Sequence, residues 1–217
     1  MRAVLWASAI LVFTLSACAE RDRLAALPPG AVVLAFGDSV TAGLGAAAGY
    51  DYPGQLAAFT GLEVVNAGVS GDTAREAGER LAPLLASYQP QLVIVELGGN
   101  DFLRQTQAAR VKEFLRGIIR EAQASGATVA LVAVPRLSLL RASVGALADS
   151  PIYAELAEEE AVVLVPDVLS EILSDTDLRA DEIHPNARGY EQLAQGIQAA
   201  LAQRGLLTGA QAERTGI

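Results

Sequence analysis

The chain carries a single histidine, His184, so any imidazole base must be that residue. Asp181 stands three positions earlier, close enough in a tight turn to accept a hydrogen bond from the ring Nδ1. Glu182 is the local competitor for this contact, and Asp175 and Asp177 are more distant ones. Asp181 is favoured, because adjacent residues in a turn seldom face each other. A serine becomes a nucleophile only when a base within hydrogen-bond reach takes its proton, and Ser39, in the cluster Gly37-Asp38-Ser39-Val40, is the candidate. The chemistry such a set performs is acyl transfer. The serine attacks a carbonyl, the imidazole moves its proton, and the aspartate fixes the tautomer and stabilises the imidazolium.

Attack on a carbonyl also needs donors aimed at the oxygen that becomes negative. Asn66-Ala67-Gly68-Val69-Ser70-Gly71-Asp72-Thr73 and Gly98-Gly99-Asn100-Asp101 are the two further polar clusters that can supply them. Glycine at 71 would let a backbone N–H approach closely, with no Cβ in the way. Asn100 offers a side-chain amide, and Ser39 can add its own N–H at a helix start. Asp38 and Asp72 are expected to hold loops together. Each cluster alone would pass as a turn; their combination and order carry the reading.

These clusters must be positioned by the elements before them. Short apolar runs at Val32–Phe36, Leu62–Val65, Leu92–Leu97, Ala127–Val134 and Val162–Val165 read as buried strands. Helix-like stretches cover Pro53–Thr60, Thr73–Tyr88, Thr106–Ser125, Pro151–Glu160 and Pro185–Gln203. Strands of this kind separated by helices imply a parallel sheet covered on both faces. Ligands bind such sheets at the carboxyl ends of the strands, where the first three clusters follow; the fourth, Asp181–Asn186, immediately precedes the last helix.

A length of 217 residues suits one domain with a substantial core. The net charge of −9, with Lys112 the one lysine among 16 basic residues, excludes a nucleic-acid binder, whose partner demands clustered positive charge. Arg2, the apolar stretch Ala3–Leu15 and the small pair Ser16-Ala17 have the layout of a secretory signal. Leu15-Ser16-Ala17-Cys18 resembles a bacterial lipobox, which makes Cys18 the expected lipidation site and explains why it is the one cysteine. The expected organisation is a signal peptide over 1–17, a lipidated cysteine and tether over 18–30, a catalytic domain over 31–207 and a flexible tail over 208–217.

The four clusters together resemble the four blocks of SGNH (GDSL-like) hydrolases, most closely the bacterial thioesterase I/protease I/lysophospholipase L1 and arylesterase branch. Val65-Asn66-Ala67, Ser70-Gly71-Asp72-Thr73, Val95 to Asp101 and Ile183-His184-Pro185-Asn186 carry the closer likeness, over roughly residues 31–203. The resemblance implies an α/β fold, a three-layer α/β/α sandwich with five parallel strands in flavodoxin-like order. It implies Ser39 as nucleophile, Asp181 and His184 completing the triad, and an oxyanion hole of the Ser39 and Gly71 N–H groups with the Asn100 amide. Small-molecule or lipid esters and thioesters are the implied substrates, with no cofactor and no metal. Membrane association is expected through the N-terminal lipid alone. A glycan O-acetyl esterase and a non-catalytic acyl-binding lipoprotein are the alternatives. Val40 departs from the family's usual leucine, and Phe102-Leu103-Arg104 falls where this branch carries a substrate-contacting loop.

Overall fold

A computed structural model describes residues 23–136 and 147–212. Residues 1–22, which hold the expected signal peptide, Cys18 and the start of the tether, lie outside the described residues, as do 213–217 of the expected tail.

Five strands form one parallel sheet: β1 (Val32–Gly37), β2 (Glu63–Gly68), β3 (Leu92–Glu96), β4 (Thr128–Val132) and β5 (Val163–Val165), in the order β2-β1-β3-β4-β5. This is the flavodoxin-like order. The inner strands are apolar on both faces because helices cover both, and all of β3 is buried. Each fully buried Val, Leu or Ile there contributes about 1.5–3 kcal/mol of transfer free energy. β2 forms an edge and is accordingly only partly buried. Register decides what meets at the carboxyl edge: Gly37 pairs with Gly68 on one side and Glu96 on the other. The three chain segments that leave those residues therefore start side by side.

The helices are α1 (Ser39–Ala42), α2 (Tyr52–Thr60), α3 (Ala74–Gly78), α4 (Leu81–Tyr88), α5 (Gly99–Leu103), α6 (Ala108–Ala124), α7 (Ile152–Glu159), α8 (Val168–Ser174), α9 (Ala187–Gln203) and α10 (Gly209–Ala212). Helices α2, α8 and α9 pack together on one side of the sheet, and α3, α4, α6 and α7 on the other. The result is the expected three-layer sandwich. Among the described residues no helix is long and apolar enough to cross a membrane.

Four expectations change. The single helix over Thr73–Tyr88 is two, broken at Glu79-Arg80. Pro83 is the reason: in a continuous helix its ring would clash with the carbonyl of Glu79, four residues back. The last long helix starts at Ala187 rather than Pro185, because Asn186 caps it, its side chain accepting from Arg188 and Gly189 N–H. The described part of the expected tether packs against the domain. Leu24 and Leu27 N–H donate to the Arg204 and Leu206 carbonyls, and Leu27 is buried. The expected flexible tail begins with a helical turn, α10, whose Gln211 carbonyl accepts from Gln198 on α9.

Candidate active site

Ser39 opens α1 directly after β1. Asp38 caps that helix, its Oδ1 accepting from Val40 N–H at 3.0 Å. The turn is tight enough that a Cβ on Gly37 would come within 2.0 Å of Thr41 Oγ1 and 2.5 Å of the Glu96 carbonyl oxygen, so glycine is required there. His184 reaches Ser39 from the far end of the chain. Its segment folds back on itself, with Ala180 N–H donating to the His184 carbonyl and Asn186 N–H to that of Leu178. Ser39 O–H lies 3.0 Å from His184 Nε2, and both residues are buried.

Asp181 completes the line. Its Oδ2 and Oδ1 lie 2.9 and 3.0 Å from His184 Nδ1, and Oδ1 also accepts from Ile183 and His184 N–H, each at 2.9 Å. Partial burial pushes this carboxyl up; the imidazole and the two N–H groups outweigh it and hold it below the ordinary aspartate range. A proton on Nδ1 donates to this carboxylate and leaves Nε2 free to accept from Ser39. Glu182, the sequence competitor, is exposed.

The three oxyanion candidates differ. Among the described residues no acceptor engages the N–H of Ser39 or of Gly71. Gly71 has φ +90°, but a Cβ there would meet nothing within 4 Å. Its positive φ calls for glycine in its own right. Asn100 sits in α5 beside Ser39, with Nδ2 donating to Asp38 Oδ2 at 3.0 Å and to the Asp72 carbonyl at 3.1 Å. Its amide can serve an oxyanion only by sharing one of those hydrogens. Arg104, in the segment that falls where this branch carries a substrate-contacting loop, donates to the Gly71 carbonyl and pairs with Glu76. Ser39, Asn100 and His184 line a small cavity whose apolar wall is Leu103, Val134, Leu169, Leu173 and Ile183.

Sequence reasoning missed Glu96 and Arg80. Glu96 ends β3 and is buried at the cavity next to Asp38, accepting from Thr41 Oγ1 at 3.0 Å. The available signal was a carboxylate inside an otherwise continuous apolar strand. Burial pushes Asp38 up to about 6, against the opposing pull of the Val40 N–H, His184 and Asn100. Burial and the neighbouring Asp38 push Glu96 well above the ordinary glutamate range.

These two shifts set a stability trend. Between the ordinary carboxylate range and about 6 these two groups in the folded chain keep protons that the unfolded chain has released, so the stability they contribute falls as pH rises through that window. Glu96→Gln keeps an acceptor for Thr41, turns an amide donor toward Asp38 and removes one ionisation. It should melt about 2–4 °C above wild type at pH 8, with the gap closing at pH 4, by differential scanning calorimetry. A gap of equal size at both pH values would sink this account.

Comparison with known proteins decides the family. Residues 35–192 match the GDSL-like lipase/acylhydrolase family model. The chain belongs to that family. It is 38% identical over 160 residues to thioesterase 1/protease 1/lysophospholipase L1 of Escherichia coli K12, covering 71% of this chain and 75% of that one. It is 32% identical to esterase TesA of Pseudomonas aeruginosa PAO1, over 84% and 94% of the two chains. Among solved structures, that of TesA superimposes with TM-score 0.70 at 29% identity, covering 80% of this chain and 99% of its own. As a family member the protein is an SGNH-type esterase.

Proposed function

We propose that this esterase cleaves carboxylic ester or thioester bonds through an acyl-enzyme on Ser39. The observation that carries the proposal is the line from the buried Ser39 O–H through the buried His184 ring to the carboxylate of Asp181, at 3.0 and 2.9 Å, beside an apolar-walled cavity. His184 takes the Ser39 proton as Oγ bonds to the acyl carbon. The Ser39 and Gly71 N–H groups, joined by a shared Asn100 amide hydrogen, receive the oxyanion. The tetrahedral adduct collapses, the alcohol or thiol leaves with the proton from His184, and water deprotonated by His184 releases the acid.

Short- to medium-chain acyl esters, aryl esters and lysophospholipids are the proposed substrates. The aliphatic wall supports an acyl chain over a polar glycan. The names of the relatives, which include a lysophospholipase and a thioesterase, support the same substrate range.

The test is fluorophosphonate labelling of the folded domain, with p-nitrophenyl esters of increasing acyl length run alongside. Labelling of wild type that vanishes in Ser39→Ala, with ester turnover lost in parallel, is the expected result. A folded wild type that neither labels nor turns over ester would overturn the proposal.

The same reading takes residues 1–17 as a signal peptide, 18–30 as lipidated cysteine and tether, and 31–207 as the hydrolase domain, lipid-anchored in a bacterial cell envelope. Cys18→Ser should move the protein from the membrane fraction to the soluble fraction and abolish palmitate labelling. Continued membrane association of that variant would remove the lipid anchor from the reading.

A further inference from the structure

Arg80 occupies the break between α3 and α4, where its side chain turns toward the carboxyl edge of the sheet. Each guanidinium nitrogen has a different partner. Nε donates to Asp72 Oδ2 at 2.7 Å, Nη1 to the Ala67 carbonyl at 2.8 Å, and Nη2 to the Gly37 carbonyl at 2.9 Å. The guanidinium also lies over the Phe36 ring, 4.5 Å from its centre, and the side chain is three-quarters buried. Three acceptors thus converge from three places: the end of β1, the end of β2, and the turn after β2.

Two of these acceptors are next to the free N–H groups of the site. Gly37 is separated from Ser39 by Asp38 alone, and Asp72 directly follows Gly71. The β1–β2 ladder ends at the Gly37–Gly68 pair, so strand pairing does not fix the segments beyond it. Past that point Val69 N–H bonds to the Gly37 carbonyl, and Asn100 bridges Asp38 and Asp72 from the cavity side. Arg80 closes the frame from behind.

We propose that Arg80 is a positioning residue of the oxyanion site, tying Gly37 to Asp72 so that the Ser39 and Gly71 N–H groups keep the separation a tetrahedral intermediate needs. The inference rests on the acyl-enzyme reading of Ser39. A charged, planar group making three directed bonds defines geometry in a way that lysine, a point donor, cannot reproduce. The resting site would bind substrate with or without this alignment, and the oxyanion develops only after binding. Loss of Arg80 should therefore lower kcat and leave KM nearly unchanged.

The test compares Arg80→Met, Arg80→Lys and Arg80→Ala with wild type on a p-nitrophenyl ester, with Ser39→Ala as control. A misplacement of this order costs about 10- to 100-fold, so kcat of Arg80→Met and Arg80→Lys should fall by that amount, with KM held within about threefold. The rate of fluorophosphonate labelling should fall in step, since the phosphonyl oxygen uses the same N–H groups. Millimolar guanidinium ion should restore part of kcat to Arg80→Ala, and methylammonium should not. Should Arg80→Met fail to fold, Arg80→Lys and the guanidinium rescue still decide the matter.

A folded Arg80→Met with kcat within twofold of wild type overturns the proposal. So does a loss carried by KM or by melting temperature alone, without guanidinium rescue. The control separates the two levels. An active Ser39→Ala removes the acyl-enzyme reading itself, whereas an inactive Ser39→Ala beside unimpaired Arg80 variants removes only the role of Arg80.

Discussion

Ser39→Ala and His184→Ala should each lower kcat by about 10^4- to 10^6-fold, and the double variant should lose almost nothing further. The reason is the 3.0 Å contact between Ser39 Oγ and His184 Nε2. The hydroxyl is no nucleophile without the ring that takes its proton, and without the hydroxyl the ring has no acyl-enzyme for its activated water to attack. Two groups that perform one act are grossly non-additive, whereas independent contributions would multiply. Some rate above that in water should survive in all three variants, because the Ser39 backbone N–H and Gly71 N–H remain in place after the side chains are cut. The measurement is single-turnover and steady-state hydrolysis of one p-nitrophenyl ester by the three variants, with melting curves alongside. A double variant carrying the product of the two single losses would show that the residues act separately and would end the reading of Ser39 and His184 as one device.

Much of this arrangement is legible in the sequence, for a physical reason. A strand buried on both faces is apolar at nearly every position, so Leu92 to Val95 of β3, with the inner strands β1 and β4 beside it, stands out as a short apolar run. The polar residues that follow a run are then placed at the carboxyl edge by topology alone. Ser39, Gly71 and Asn100 become candidates in this way without any contact being known. His184 comes by elimination, since no second imidazole exists.

The residues that were not legible act through tertiary contacts that leave no local pattern. Arg80 reads as one more charge on an amphipathic helix, and only the break imposed by Pro83 lets it reach Gly37 and Ala67. Glu96 reads as an imperfection in a strand; its role depends on Asp38 and Thr41, which meet it across the β1–β3 pair. The short helix α8 escaped for a similar reason. It follows Asp167, a non-glycine residue at φ +61°, which no turn signal announces and whose N–H is held by the Asp149 side chain 18 residues earlier. Leu24 and Leu27 lie in the stretch expected to be a tether, yet Arg204 and Leu206, just past α9, offer them carbonyl partners that composition cannot show.

Asp181→Asn tests the other half of the triad, and here the hydrogen-bond pattern specifies the outcome. Oδ1 of Asp181 accepts from two backbone N–H groups, of Ile183 and His184, at 2.9 Å each. An asparagine in its place must keep its oxygen there, since an NH2 group would set donors against donors. Its Nδ2 then takes the position of Oδ2, 2.9 Å from His184 Nδ1. An amide donor 2.9 Å from Nδ1, set against the acceptor Oδ1 at 3.0 Å, favours the ring proton on Nε2, and a protonated Nε2 cannot accept from Ser39. The loop stays capped while the base is turned into the wrong tautomer. We therefore expect kcat to fall by about 10^3- to 10^4-fold with the melting temperature nearly unchanged. Asp181→Ala, by contrast, leaves both backbone N–H groups without their acceptor and should lower the melting temperature as well. The exposed neighbour Glu182, changed to Gln, should alter kcat less than about twofold, as surface substitutions do. Neutron or 15N NMR observation of the ring would check the cause directly, with the proton on Nδ1 in wild type and on Nε2 in Asp181→Asn. A variant that loses activity with Nδ1 still protonated would show that Asp181 acts through its charge on the imidazolium and not through the tautomer.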